Sequence, residues 1–234
     1  MSNELSQNSK GDYIAMSLKA AMGMIPFAGP FLTEIAGSII PNQKVDRLVA
    51  FAKKLDDRLS LIENQAILNE VMKDENFTDL VEEGMRQASS SLGDERREYL
   101  ANLIAHSISS EDILFHESKH LMRILGALNN VEVIWLRSYI SHGYSYGVDM
   151  EFREANKAVL EQYIDASVND RQKISTLIRS YKEHLASLGL LERKMEIKES
   201  RNGSEIDTVD YSITGLGRML LLEVGLIPDY FYRG

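Results

Sequence analysis

The chain has 234 residues, of which 44% are hydrophobic, and this is enough to bury the core of one large domain or two small ones. Its net charge of −9 argues against a surface that binds nucleic acid all over, so any such patch must be local. The absence of cysteine excludes disulfides, thiolate metal sites and a cysteine nucleophile.

The first twelve residues are polar and lack the charged and then apolar progression of a secretory signal. We therefore expect a disordered tail at 1–12 and a cytoplasmic location.

The most apolar stretch runs from Tyr13 to Pro41 and is interrupted by IPFAGP at residues 25–30. The Pro and Gly residues predict two short helices joined by a tight turn, each too short to cross a bilayer as a helix. This hairpin either packs within the chain or contacts a membrane or partner, so that membrane association on activation is an alternative. The candidate contact residues are Ile25, Pro26, Phe27, Pro30 and Phe31.

A long helix is predicted after Pro41, as far as Met72. Its apolar residues alternate at spacings of three and four, which matches about three heptads of a coiled-coil seam. The seam residues are Val45, Leu48, Ala52, Leu55, Leu59, Ile62 and Ala66. Two interpretations remain open, namely packing onto helices of the same chain and a dimer through residues 45–66.

Helical spacing continues through 77–85, breaks at SSSLGD and restarts with Asp94 as a predicted N-cap. A further helix is expected from about Glu111 to Ala127. Asn129, with Glu132 three residues later, predicts a capping box that opens the next helix. The following stretch predicts a loop at 142–147 and one helix at 150–166. We assign 13–92 to the hairpin and long helix, and 93–168 to a helical core.

The last quarter predicts a helix, two strands and a helix. Asp170 is the predicted N-cap of the first helix, and Gly189 is placed to end it in the left-handed conformation. Strands are expected at 190–198 and 205–213 around SRNGSE, and Thr214 is the predicted cap of the last helix. Residues 169–234 therefore form a winged-helix-like module. The predicted fold is mainly α, a multi-helix bundle with an N-terminal apolar hairpin and a C-terminal two-stranded β-hairpin.

The segment DERREYLANLIAHSISSEDILFHESKHLMRILGALNNVEVIWLRSYI, residues 94–140, contains L-A-N-L-I-A at Leu100–Ala105 and then I-L-x-x-L. It resembles the core of the Abi-alpha family of bacterial abortive-infection proteins, in which these motifs flank a helix start that contains histidine. LASLGLLER and YSITGLGRMLL are similar to the closing module of that family. GMIPFAGPFLTEIAGSIIPNQKVDRLVAFAKKLDDRL is similar to a hairpin and long helix found ahead of bacterial proteins, many in defence contexts. The resemblance implies a non-enzymatic antiviral protein without a cofactor, and a capping or packing role for a histidine near 116.

Residues 116–120 read HESKH and match the H-E-x-x-H pattern of zinc hydrolases, with His116 and His120 as candidate ligands and Glu117 as the base. The match lacks a third ligand at the expected spacing, and Lys119 would place an ammonium beside a dication. We interpret the motif as a coincidence and keep a zinc hydrolase as a remote alternative.

Between Asp170 and Arg201 the chain has eight basic and five acidic residues. This local basicity, on a helix and wing, is compatible with phosphate contacts and makes a DNA-binding regulator the main alternative function. The acidic residues of the returning strand oppose it, and we favour a partner-protein or structural role. The candidate contact residues are Arg171, Lys173, Arg179, Lys182, Arg193 and Lys194. The sequence contains no evident small-molecule site.

Overall fold

The computed structural model describes residues 23, 25–26, 28–33, 45–62, 65–109, 115–140, 146–162, 167–200 and 203–228. The protein is mainly helical and has a two-stranded antiparallel sheet near its C-terminus, which confirms the predicted fold class. The described residues divide into two compact units. The first extends to Gly126 and includes Glu223–Gly225, and the second contains Ala127–Leu222 and the residues from Leu226. The predicted boundaries at 12, 92 and 168 stay predictions.

In the described part of the chain, the first unit has a helical stretch at 29–33 and five further helices. They are α1 (Val45–Leu59), α2 (Gln65–Val71), α3 (Glu75–Ser90), α4 (Asp94–Ser109) and α5 (Phe115–Ala127), of which the last residue is counted with the second unit. Helix α1 packs against α3 and α4, and α3 packs against α4. Gly84 allows the close approach of α3 and α4, because a Cβ there would lie 2.7 Å from Cδ1 of Ile104.

The predicted continuous helix after Pro41 is wrong, because α1 ends at Leu59 and α2 starts at Gln65. The amides of Leu61 and Ile62 bond to carbonyls three residues back, which tightens the last turn. The Ser60 hydroxyl also donates to the carbonyl of Asp57 at 2.8 Å and competes with helix continuation.

The apolar seam of α1 is buried within the chain. Leu48, Ala52, Leu55 and Leu59 are all 0% exposed, whereas Ala66 lies exposed on α2. The intrachain interpretation accounts for these four residues. A dimer through residues 45–66 stays a prediction, and it would have to use other side chains.

The second unit contains α6 (Asn130–Ser138), α7 (Tyr146–Ala155), α8 (Lys157–Leu160), α9 (Val168–Ser187), β1 (Leu191–Ser200), β2 (Gly203–Ile213) and α10, which starts at Gly215 and ends at Glu223. Strands β1 and β2 pair antiparallel from Leu191 opposite Ile213 to Ser200 opposite Gly203. The register shifts between Glu196 and Ile197. Helix α9 packs against α6 and β1.

Several predicted boundaries of the second unit are confirmed. Asn129 and Glu132 form the capping box of α6. Gly189 has φ +75° directly after α9, the left-handed conformation that glycine adopts without strain. Thr214 Oγ1 accepts the amide of Gly217 at 3.0 Å and caps α10.

Three local predictions for the second unit differ from the structure. Helix α7 starts at Tyr146, so the last two residues of the loop predicted at 142–147 are helical. The N-cap of α9 is Ser167, whose hydroxyl accepts the amide of Asp170, so Asp170 lies in the first turn of the helix and not at its cap. The single helix expected at 150–166 is divided at Asn156 into α7 and α8, and the Asn156 amide group donates to the carbonyl of Phe152 at 2.9 Å. Within the described ranges, no helix is both long and apolar enough to span a membrane.

Candidate partner-contact surface

The N-terminal half of α9 is exposed on most of its circumference. Leu185 is the buried side chain of this helix, and Leu177 and Val168 are 53% and 83% exposed. We define the α9 face by its exposed polar side chains, which lie within one side of the helix. They are Gln172, Lys173, Ser175, Thr176, Arg179 and Ser180. Asp170 in the first turn lies 4.0 Å from Lys173, and no acidic residue occurs from 171 to 182, so the α9 face has a net positive charge and hydrogen-bonding groups.

The six basic candidates do not form one patch. Arg171, Lys173 and Arg179 are exposed on α9, and Nζ of Lys173 lies 4.0 Å from Oδ1 of Asp170. The other three lie beside groups from other parts of the second unit, namely aromatic rings, a carboxylate in an ion pair and a carboxylate on the facing strand. These residues are Lys182, Arg193 and Lys194.

The two basic residues of β1 both have acidic neighbours. Arg193 forms an ion pair with Glu183 of α9. Lys194 lies opposite Asp210 in the antiparallel register, and both residues are exposed. Opposite charges at directly facing positions attract on the same side of a sheet, so Asp210 lowers the net positive charge around Lys194.

Lys182 is half-buried among three aromatic rings, which we call the aromatic cage. Its Nζ lies 5.3 Å from the ring centroid of Trp135 and 5.8 Å from those of Tyr139 and Tyr211. All three distances are within the range of cation–π contacts. Burial lowers the pKa of the Lys182 amine, and the charge of Asp210 acts in the opposite direction.

The surroundings of the cage hold it in place. The Tyr211 hydroxyl donates to Oε1 of Glu183 at 2.7 Å, and this bond is the main reason that the pKa of Glu183 lies below its ordinary value. Burial raises the pKa of Tyr139. Nε1 of Trp135 is buried and has no hydrogen-bond partner among the described residues.

Two buried charged side chains connect α6 to other parts of the second unit. Oε1 of Glu132 lies 2.7 Å from Nδ1 of His184, and the same side chain completes the capping box of α6. Nε of Arg137 donates to the carbonyl of Leu226 at 3.0 Å, and its guanidinium lies 5.0 Å from the ring centroid of Phe152. Glu132 therefore connects α6 to α9, Arg137 connects α6 to α7 and to the segment after α10, and both side chains are buried.

The two histidines of HESKH lie exposed on α5. Lys119, between them, forms an ion pair with Asp79 of α3. In the part of the chain that the structure describes, no three His, Cys, Asp or Glu side chains come together as metal ligands. The geometry around His116 and His120 therefore gives no support to the zinc alternative.

The described part of the predicted hairpin is packed into the first unit. Ile25, Ala28 and Leu32 are buried, and the amide of Ala28 donates to Oδ1 of Asp56 at 2.5 Å. Phe31 is stacked on Phe77 with ring centroids 5.7 Å apart. Pro26 and Pro30 are exposed. Phe27 lies outside the described residues.

A cavity of about 340 Å³ lies between α3, α4 and α5. Its lining residues are Glu83, Arg86, Gln87, Ser90, Ser91, Arg96 and Gly126. Arg86 is paired with Glu83, Nη1 of Arg96 donates to the carbonyl of Leu125, and Nε2 of Gln87 donates to the carbonyl of Met122. These bonds connect the three helices, and they account for the polar lining without a ligand.

Comparison with protein-family models, with curated proteins and with solved structures finds no match. The α9 face is thus interpreted from its own chemistry. It offers two cations, Lys173 and Arg179, and neutral hydrogen-bonding groups, and the exposed Arg171 and Leu177 lie beside it on the same helix. Together these groups suit a partner surface with acidic groups around a small apolar contact.

The sequence located α9 and its cations but missed the aromatic cage. Nothing in the spacing of Trp135 and Tyr139 connects them with Lys182 on another helix. The sequence does not show how these two helices align along each other, and it therefore does not place Lys182 beside the rings.

Proposed function

We propose that the chain is a non-enzymatic antiviral protein of the abortive-infection type, which acts by binding an acidic surface of a partner protein through the α9 face. The exposure of the N-terminal half of α9 carries this proposal, because a 20-residue helix with one buried side chain has more surface than its own unit covers. The resemblance of residues 94–140 and of the closing segments to Abi-alpha proteins supports the defence context.

The test is a phage challenge of bacteria that express the protein. The variant Lys173→Glu/Arg179→Glu reverses two charges of the α9 face, and we expect it to lose the infection-dependent growth arrest of the wild type. Lys53→Glu/Arg123→Glu is the matched control, since both side chains are exposed on the first unit and the net charge changes equally. Thermal unfolding of both variants verifies that they fold.

Two results would contradict the proposal. One is a wild-type protein that gives no protection against any phage tested. The other is equal protection by the α9 and control variants, because in that case the α9 face has no part in the activity.

Membrane contact through the hairpin is a second mechanism that would produce infection-dependent growth arrest. The burial of Ile25 and Leu32 and the stacking of Phe31 mean that these side chains would have to leave the first unit before they entered a bilayer. Dye release from liposomes, reduced by Phe27→Asp but not by Leu177→Asp, would favour this route. Absence of both dye release and membrane-fraction protein in infected cells would exclude it.

DNA binding is the alternative function, and the order of α9 followed by a β-hairpin favours it. Three exposed cations on α9 predict a logarithmic salt dependence of DNA affinity with a slope of about −3. Retention of DNA with that slope, and its loss in the α9 variant, would support the alternative. No retention at low salt would refute it.

A further inference from the structure

The three rings of the aromatic cage come from elements other than α9, the helix that carries Lys182. Trp135 and Tyr139 are four residues apart, so they lie on one face at the end of α6, and Tyr211 comes from β2. The hydroxyl of Tyr211 is held by Glu183. Lys182 reaches the rings from α9, and its flexible four-carbon stem can also extend into water.

The present occupant suits the cage poorly. A primary ammonium has three N–H donors and is strongly hydrated, and aromatic faces replace only part of that hydration. The lowered pKa of Lys182 has the same origin. A quaternary ammonium has no N–H group to satisfy and carries its charge on methyl groups that fit against ring faces, so it loses less on entering the cage.

We propose that Trp135, Tyr139 and Tyr211 form a binding site for a quaternary ammonium group, with Lys182 as its displaceable internal occupant. The ligand class is a trimethylammonium compound, either free or as the choline headgroup of a lipid. Binding exchanges one cation for another in the cage and involves no covalent step.

Trp135 gives a direct readout, since it is the one tryptophan of the chain. We expect choline and tetramethylammonium chloride to change its fluorescence saturably, whereas sodium chloride at equal ionic strength does not. The chemical control is 3,3-dimethyl-1-butanol, which has the shape of choline without its charge. A neutral analogue that binds as tightly as choline would overturn the proposal, because attraction of the cation to the rings would then have no role.

Variants separate the occupant from the walls. Lys182→Ser empties the cage and is expected to tighten choline binding roughly fivefold, the factor that corresponds to one partly exposed cation–π contact. Lys157→Ser, exposed on α8 of the same unit, should leave the affinity unchanged. Tyr139→Phe keeps a ring and should retain binding, and Tyr139→Leu should weaken it about fivefold for the same reason.

An unchanged affinity of Lys182→Ser for choline, or equal affinities of Tyr139→Phe and Tyr139→Leu, would refute the site. If Tyr139→Leu fails to fold, the Lys182→Ser variant and the neutral analogue still test whether the site exists. Sedimentation with phosphatidylcholine vesicles, against phosphatidylglycerol vesicles, identifies the source. Choline-competed binding to the former indicates a lipid headgroup, and binding of free choline alone indicates a small molecule.

Discussion

Replacing Gly217 by alanine tests how α10 packs on the end of α9. A Cβ at this position would lie 2.4 Å from the carbonyl oxygen of Leu190 and 2.9 Å from Cγ1 of Ile213. A carbon and an oxygen without a bond between them are normally at least about 3.3 Å apart, so the backbone would have to move by about 1 Å.

That movement affects the cap of α10. The carbonyl of Leu190 accepts the amide of Thr214 at 3.1 Å and also its hydroxyl at 3.1 Å. Overpacking costs about 1–3 kcal/mol and a weakened hydrogen bond about 1 kcal/mol, whereas alanine gains at most about 1 kcal/mol of helix propensity over glycine. We expect Gly217→Ala to lower the free energy of unfolding by about 2 kcal/mol.

Gly215→Ala is the matched control, since a Cβ there meets nothing within 4 Å. Without a clash, the gain in helix propensity should leave stability unchanged or raise it by up to about 1 kcal/mol. Urea unfolding followed by the fluorescence of Trp135 reports on the unit that contains both glycines. If Gly217→Ala is no less stable than Gly215→Ala, the close contact between α10 and Leu190 is not present in solution.

Three further predictions concern hydrogen bonds of charged or buried groups. Glu132→Gln weakens the buried bond to His184, and we expect a loss of about 1–3 kcal/mol in urea unfolding; no loss would mean that the pair is not formed. Burial alone would raise the pKa of Glu98, but two basic side chains of α1 donate to it and hold its pKa below the ordinary 4.5. The contribution of the ionised Glu98 to the free energy of unfolding is therefore complete above pH 4.5 and is lost as the pH falls through the folded pKa. The stability difference between wild type and Glu98→Gln should shrink from pH 6 to pH 3. A constant difference would contradict this. Asn102→Ala removes the 3.0 Å bond to the carbonyl of Val224 and should cost about 1–3 kcal/mol and speed amide exchange at 224–227.

Local patterns predicted much of the fold. The spacing of Phe77, Leu80 and Met85 identified a buried helix face, and all three are buried in α3. Gly189 and Thr214 marked the end of α9 and the start of α10, because left-handed backbone and hydroxyl capping depend on single residue types. These features are decided within one turn of chain, and a sequence therefore displays them directly.

The sequence failed where neighbouring elements decide the structure. The seam of α1 continues without interruption through Ile62 and Ala66, so the periodicity alone predicts one helix as far as Met72. The chain turns at residues 60–62 instead, and Leu68 of α2 is buried while Ala66 is exposed. The periodic pattern is compatible with one long helix or with two helices joined by a turn, and packing decides between them.

The basic candidates show the same limit in the functional site. Six cations lie close together in the sequence, but Lys182 lies among rings from two other elements, Arg193 forms an ion pair with Glu183, and Lys194 lies opposite Asp210 in the strand register. Six phosphate contacts would give a logarithmic salt slope of about −5, whereas contacts from the three exposed cations of α9 alone give about −3. The slope therefore counts the cations that contact a polyanion. A value near −5 would mean that the other three leave their partners on binding, and the charge pattern of the sequence would then be the better guide to function.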